Sequence, residues 1–188
     1  MNSGPTSERV HDAIRRRILE RAFHPGERLD PARLAQDLAS SITPVRDALH
    51  VLAGRGLVAT GTGEGFHIPH IDEPALKDLY AWNLEVLLLA VRSWGRSAAF
   101  SGDGGPGDKA SDPDRSIASL GLGIARRSAN AEHMRAVRLL NDRLQPLRVV
   151  EAMAIEPVEG EMEGLDTALA ENDDTPLRRL LLDYHRRR

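Results

Sequence analysis

The amino-acid sequence predicts a mainly α-helical chain in two parts. Residues 1–71 read as three helices followed by a β-hairpin, and residues 72–188 as an all-helical bundle. Three observations carry that reading. Apolar residues recur at helical spacing through both parts, one short glycine-centred β-prone segment interrupts them near residues 57–70, and the charge balance differs on either side of it. A chain of 188 residues is long enough for two small domains, each with its own core.

The elements follow in order. Over residues 7–22, Val10, Ile14 and Ile18 stand four apart with charges between them, and Ser7 offers an N-cap. Pro25 and Gly26 break that helix. Asp30 followed by Pro31 reads as an N-cap with proline at the first helical position of a second helix, which buries Leu34, Ala35 and Leu38. A third helix starts around Pro44 behind a Ser or Thr cap, buries Val45, Ala48, Leu49 and Leu52, and ends at Gly54 and Gly56. The segments "GLVAT" and "FHIPH" flank the turn "GTGEG", a hairpin pattern in which Pro69 must lie at a strand end or edge. Two short helices joined by a tight turn and followed by a hairpin make a winged helix-turn-helix.

From residue 73 the spacing is helical again, with Leu76, Leu79, Leu84, Leu87 and Leu88 and the bulk of Trp82 and Trp94. Residues 101–114, "SGDGGPGDKASDPD", have almost nothing to bury and read as a flexible loop. Helical spacing resumes over 116–128, 131–152, 161–171 and 176–187, with Asn130 as an N-cap and Pro157 as a separator.

Charge and composition exclude several functions. Net charge is −3, so the chain is no general polycation; residues 1–70 carry nine Lys/Arg against eight Asp/Glu, and the remainder 16 against 20. The amino-terminal part is therefore the better partner for phosphate. The absence of cysteine excludes disulfides and thiol catalysis. No signal-peptide pattern occurs at the start, and the longest apolar run, "LEVLLLAV", is far short of a membrane span, so a cytoplasmic protein without membrane contact is expected.

The third helix carries the candidate chemistry. A helix lying in the major groove of DNA needs one face to anchor it and an outer face of polar and basic side chains. Thr43, Arg46, Asp47 and His50 fall opposite Val45, Leu49 and Leu52. Arg46 has the reach and fork geometry for guanine O6 and N7 or for a phosphate, and Ser41 and Thr43 can donate to phosphates at the helix start. A lone surface arginine is more often merely solvated; the glycine-rich wing that follows is what strengthens the reading.

The run "HPGERLDPARLAQDLASSITPVRDALHVLAGRGLVATGTGEGFHI" resembles the DNA-binding domain of the GntR family of bacterial transcription regulators, over about residues 8–70. The resemblance implies a homodimer on a pseudo-palindromic double-stranded DNA operator. By position it assigns DNA contacts to Ser41, Thr43 and Arg46, and the wing-tip glycine to Gly65. Two residues depart from the family pattern: Ile42 stands where an arginine commonly contacts DNA, and Glu64 precedes the wing glycine. Ile42 either meets a thymine methyl in the groove or packs against its neighbours. An altered operator preference or weaker binding is the expectation.

Residues 72–188 resemble, discontinuously, the helical effector domain of the FadR-like branch of that family, in a shortened form. Many members there hold a divalent metal with an Asp and three His, and the metal helps hold a carboxylate effector. The corresponding positions here are Ile117, Gly121, Met162 or Glu163, and His185. One imidazole is no metal site, so neither metal nor cofactor is expected, and His185 reads as a helix-end residue beside Arg186–Arg188. The bundle then either holds a small-molecule effector of unidentified chemistry or serves only for dimerisation.

Enzymatic function is not expected. Neither "GTGEG" nor "GLG" follows a strand and opens a helix as a phosphate-binding loop must. His67 and His70, three apart on a strand, point to opposite faces, and Asp173 with Asp174 reads as a solvated helix start. The rival reading is a degenerate family member that binds a ligand or protein and has weak or no DNA binding.

Overall fold

The computed structural model describes residues 3–61, 65–94, 113–155 and 160–188. The chain divides into two compact units, Met1–Asp72 and Glu73–Arg188. Pro157, Glu64 and residues 101–112 of the expected loop lie outside the described residues.

The first unit comprises α1 (Ser3–Leu19), β1 (Arg28–Leu29), α2 (Pro31–Asp37), α3 (Ile42–Gly54), β2 (Ala59–Thr60) and β3 (Phe66–His67). Its core follows the predicted spacing except at Leu38, which is the C-cap of α2 and only half-buried. Val10, Ile14 and Ile18 of α1 bury against Val45, Ala48, Leu49 and Leu52 of α3, with Leu34 and Ala35 from α2 and Leu57, Val58 and Phe66 closing it. Burial of each larger aliphatic side chain is worth roughly 1.5–3 kcal/mol, so α3 is seated firmly. Asp30 caps α2 as expected, its side chain accepting from the Ala32 N–H at 2.8 Å with Pro31 in the first turn. Arg9 donates both terminal nitrogens to the Leu38 carbonyl at 3.2 Å, and Arg17 pairs with Asp37 at 3.2 Å. Two α1 cations are thus committed to the C-terminal end of α2, where carbonyls point outward and favour positive charge.

Three expectations are corrected here. Helix α1 starts at Ser3, so Ser7 is inside it and caps nothing; it ends at Leu19, and Arg21 turns the chain away in the left-handed region, φ 58°. The hairpin is part of a three-stranded antiparallel sheet of order β1-β3-β2, in which Arg28 pairs with His67 and Leu29 with Phe66. Strand β1 is two residues long and has no periodicity to read; it exists because β3 gives its backbone partners. His70 lies beyond β3, so the opposite-face argument for His67 and His70 does not apply.

The second unit comprises α4 (Glu73–Arg92), α5 (Pro113–Arg126), α6 (Ala131–Ala154), α7 (Glu161–Ala170) and α8 (Asp174–Arg186). Its core joins Leu79, Tyr80, Leu87 and Val91 of α4 to Ile117, Leu120 and Ile124 of α5, Val137, Leu140 and Leu144 of α6, Leu165 of α7, and Leu177 and Leu181 of α8. Asn130 caps α6 and Asp173 caps α8, accepting from Glu132 N at 3.0 Å and Thr175 N at 3.2 Å. Residues 113 and 114, expected in the loop, form the first turn of α5. Trp94 anchors the end of α4 by donating from Nε1 to the Ile124 carbonyl at 3.1 Å. No described helix is long and apolar enough to cross a membrane.

Candidate nucleic-acid interface

Helix α3 exposes one continuous strip. Ile42, Thr43, Arg46, Asp47 and His50 are exposed, while Val45, Ala48, Leu49 and Leu52 are buried on the opposite side. Ser41 is the N-cap in extended conformation and its hydroxyl makes no capping bond. The first turn of α3 therefore presents backbone N–H groups and the Ser41 and Thr43 hydroxyls together, an arrangement suited to an anion. Arg46 has no ion pair or hydrogen bond to a described residue. It is one turn from Ile42, so both project from the same end of the strip.

Ile42 occupies the first helical position and is 47 % exposed. Nearly half its surface faces outward, among the groups just named. His50 is exposed too, but its ring meets Phe66 edge-on, centroids 4.9 Å apart at 76°. His50 thus ties α3 to β3 and fixes the wing beside the helix.

Gly65 enters β3 at φ 127°, a conformation that disfavours side chains. A Cβ there would stand 3.3 Å from Arg28 Nε. The Arg28 guanidinium lies over the wing at that glycine, exposed and across from His67. Sequence reading missed Arg28 because its place depends on the β1–β3 pairing. The family-like "PGERL" run, with an arginine two residues after a glycine, was the only available signal.

The second unit has a polar interior that its sequence spacing could have disclosed. Asn141 and Arg148 continue the buried stripe Val137, Leu140, Leu144, and His185 continues Leu177, Leu181. Tyr80 donates to Glu151 at 2.6 Å; burial first, and then that carboxylate, push its phenol well above the usual range. His185 is buried, not a solvated helix end, and burial lowers its pKa to about 4, with the Arg148 and Arg188 charges acting in the same direction. A neutral ring donates once: Nδ1–H gives its proton to the Leu181 carbonyl at 2.7 Å. Nε2 then accepts, and it lies 2.9 Å from Asn83 Oδ1; a half-turn of that carboxamide supplies the matching NH2.

These residues do not fit the metal that the family resemblance implies. Ile117 is buried in apolar core, a Cβ on Gly121 would meet Val137 and Leu87 at 3.4 and 3.6 Å, and both His185 nitrogens are engaged. Among the described residues no three His, Cys, Asp or Glu side chains converge.

Residues 6–68 match the family model "Bacterial regulatory proteins, gntR family". The amino-terminal unit is thus similar to that family over about a third of the chain. The chain is 40 % identical over 70 residues to the Nta operon transcriptional regulator of Aminobacter aminovorans, covering 37 % of this chain and 33 % of that one. It is 30 % identical over 82 residues to the HTH-type transcriptional regulator McbR of Escherichia coli strain K12, covering 44 % and 37 %. The match thus spans about a third of the length of these relatives. Two solved structures share the fold over nearly the whole chain. Escherichia coli McbR/YncC superposes with a TM-score of 0.62 at 22 % identity, covering 99 % of this chain and 95 % of that one. A transcriptional regulator GntR from Rhodococcus sp. RHA1 gives 0.71 at 18 %, covering 96 % and 93 %. A winged helix-turn-helix followed by a helical domain is therefore the fold this chain shares with those two structures. That family is one of bacterial regulatory proteins.

Proposed function

We propose that the protein is a sequence-specific DNA-binding transcription regulator that engages a pseudo-palindromic operator as a dimer. The helical unit supplies dimerisation and the response to a small ligand. The observation that carries this reading is the exposed strip Thr43, Arg46 and His50 on a helix whose opposite side is fully seated, with an unspent helix N-terminus at one end and the Gly65 wing beside it. A mobility-shift titration against the gene's own upstream region, at two salt concentrations, tests it. Binding falls steeply with salt, because each phosphate contact releases counterions. Absence of specific binding at low salt would favour the rival, a ligand- or protein-binding module.

Ile42 sets operator preference by meeting a thymine methyl. Its exposure at the start of the strip supports this, since an apolar side chain is kept there without a core to join. Unbiased operator selection with wild type and Ile42→Arg is expected to return different consensus bases at one position per half-site, guanine replacing thymine. The same consensus from both proteins would sink the idea.

Arg28 contributes a phosphate contact from the wing, supported by its exposure and its position over Gly65. Arg28→Gln is expected to weaken all DNA sequences alike and to flatten the salt dependence by about one contact per half-site. An unchanged slope, or a changed consensus, would contradict that role.

A further inference from the structure

We propose that operator binding is coupled to proton uptake at His50: as an imidazolium this side chain holds a DNA phosphate where α3 meets the wing, so operator occupancy rises as pH falls. The proposal rests on the DNA-binding reading above and adds a regulating variable to it.

His50 is exposed about two turns along α3, on the strip that carries Thr43 and Arg46. Its ring stands edge-on to Phe66, centroids 4.9 Å apart, and Phe66 is buried at the start of β3. The imidazole is therefore held at the junction of helix and wing while its nitrogens stay open. Among the described residues neither nitrogen has a hydrogen-bond or ion-pair partner. His185, by contrast, is buried with both nitrogens engaged.

That junction is where a phosphate has to pass. A helix in the major groove and a wing reaching for the neighbouring minor groove have one sugar-phosphate backbone between them. Thr43 and Arg46 stand nearer the start of α3, the end that reaches base edges, whereas His50 is one turn further on and against β3, at the groove wall. A phosphate oxygen only accepts hydrogen bonds. A neutral imidazole brings one donor and an opposing lone pair, and the imidazolium brings two donors and a charge. Histidine is the side chain that passes between these forms from about pH 5 to 8.

The protein supplies no net counter-charge for that imidazolium. Along α3 its charged neighbours are Arg46 and Asp47, one of each sign, and Ala53 and Gly54 follow on the other side. On β3 the contact is the uncharged Phe66 ring. Successive strand residues point to opposite faces, so His67, and Arg28 paired across from it, lie on the side away from His50, where both approach Gly65. The duplex is thus the anion that favours protonation. Linkage fixes the sign: a group that holds a proton in the complex and not in the free protein makes affinity increase as pH falls, by at most about tenfold per pH unit for each His50. Once pH is low enough for the free protein to hold the proton too, the gain levels off.

The test is fluorescence anisotropy of the full chain with the duplex returned by operator selection, at pH 6, 7 and 8 and constant ionic strength. Wild type is expected to bind at least about tenfold more tightly at pH 6 than at pH 8. Its salt dependence is expected to steepen at pH 6 by about 0.9 per half-site, one further phosphate neutralised. His50→Gln, which hydrogen-bonds but does not titrate, is expected to bind nearly equally at all three pH values with a single salt slope. His50→Arg, with a permanent charge, is expected to bind at pH 8 about as tightly as wild type at pH 6, again without pH dependence; it keeps the test open should the glutamine variant fail to fold. His67→Gln is expected to keep the pH response. Wild-type affinity that is flat across pH, a response retained in His50→Gln, or one lost in His67→Gln overturns the proton coupling and leaves the regulator reading in place. No specific binding at any of the three pH values removes that reading and the coupling with it.

Discussion

Replacing Arg46 with alanine is expected to lower operator affinity by roughly 30-fold to 20,000-fold, a loss of about 1–3 kcal/mol in each of two half-sites. The same change should leave the fold almost untouched. Arg46 is exposed and has no partner among the described residues, and substitutions at such positions usually shift stability by no more than about 0.5 kcal/mol. Neighbouring Asp47 makes the contrast sharper. It shares the exposed strip but repels phosphate, so Asp47→Asn is not expected to weaken binding. Arg46→Lys keeps the charge and should recover nonspecific affinity while losing the bidentate base contact, so its deficit appears mainly on the cognate operator. Fluorescence anisotropy with cognate and scrambled duplexes, alongside a thermal melt, reads all three variants. Full cognate affinity in Arg46→Ala would remove α3 from the interface.

How far the sequence disclosed this arrangement follows from the range of the forces involved. Asp30 with Pro31 and Asn130 are local signals: a side-chain oxygen reaches an N–H two residues away, so the cap is readable in a few letters. The seating of α3 is nearly as local, because Val45, Leu49 and Leu52 repeat with the helix period. Strand β1 was not legible, since two residues of edge strand are made by a partner nearly forty positions away. Arg28 was missed with it. His185 and Arg148 fail for a different reason. Their spacing placed them on buried stripes, but a charged or titratable residue is ordinarily exposed unless it is paired, and residue type outweighed period. What keeps them inside is a set of long-range partners, Asn83 for His185 and Asn141 for Arg148. The exposure of Ile42 is the converse case: an apolar residue left outside, where type would have placed it within.

The second large effect lies in acid. His185 has an ordinary pKa of 6.5 and is lowered to about 4 in the folded protein. Above pH 6.5 neither the folded nor the unfolded chain protonates it, and its contribution to stability is complete. Between pH 6.5 and about 4 the unfolded chain binds a proton that the folded chain refuses, so stability falls as pH falls, by about 1.4 kcal/mol per pH unit and about 3 kcal/mol across the window. Below that window both states are protonated and the contribution is gone. The groups facing the ring explain the refusal. The Tyr80 and Tyr184 rings lie edge-on at 6.1 and 5.2 Å, Asn83 and the Leu181 carbonyl occupy its two nitrogens, and the Arg148 and Arg188 cations oppose a further positive charge. His185→Gln retains an amide able to donate and accept but cannot titrate. Urea unfolding at pH 7.5 and pH 4.5 should therefore show a larger acid loss in wild type than in His185→Gln, although the variant starts lower at neutral pH. Equal losses in the two proteins would mean that the folded imidazole protonates freely, and that the interior is open enough to hydrate it.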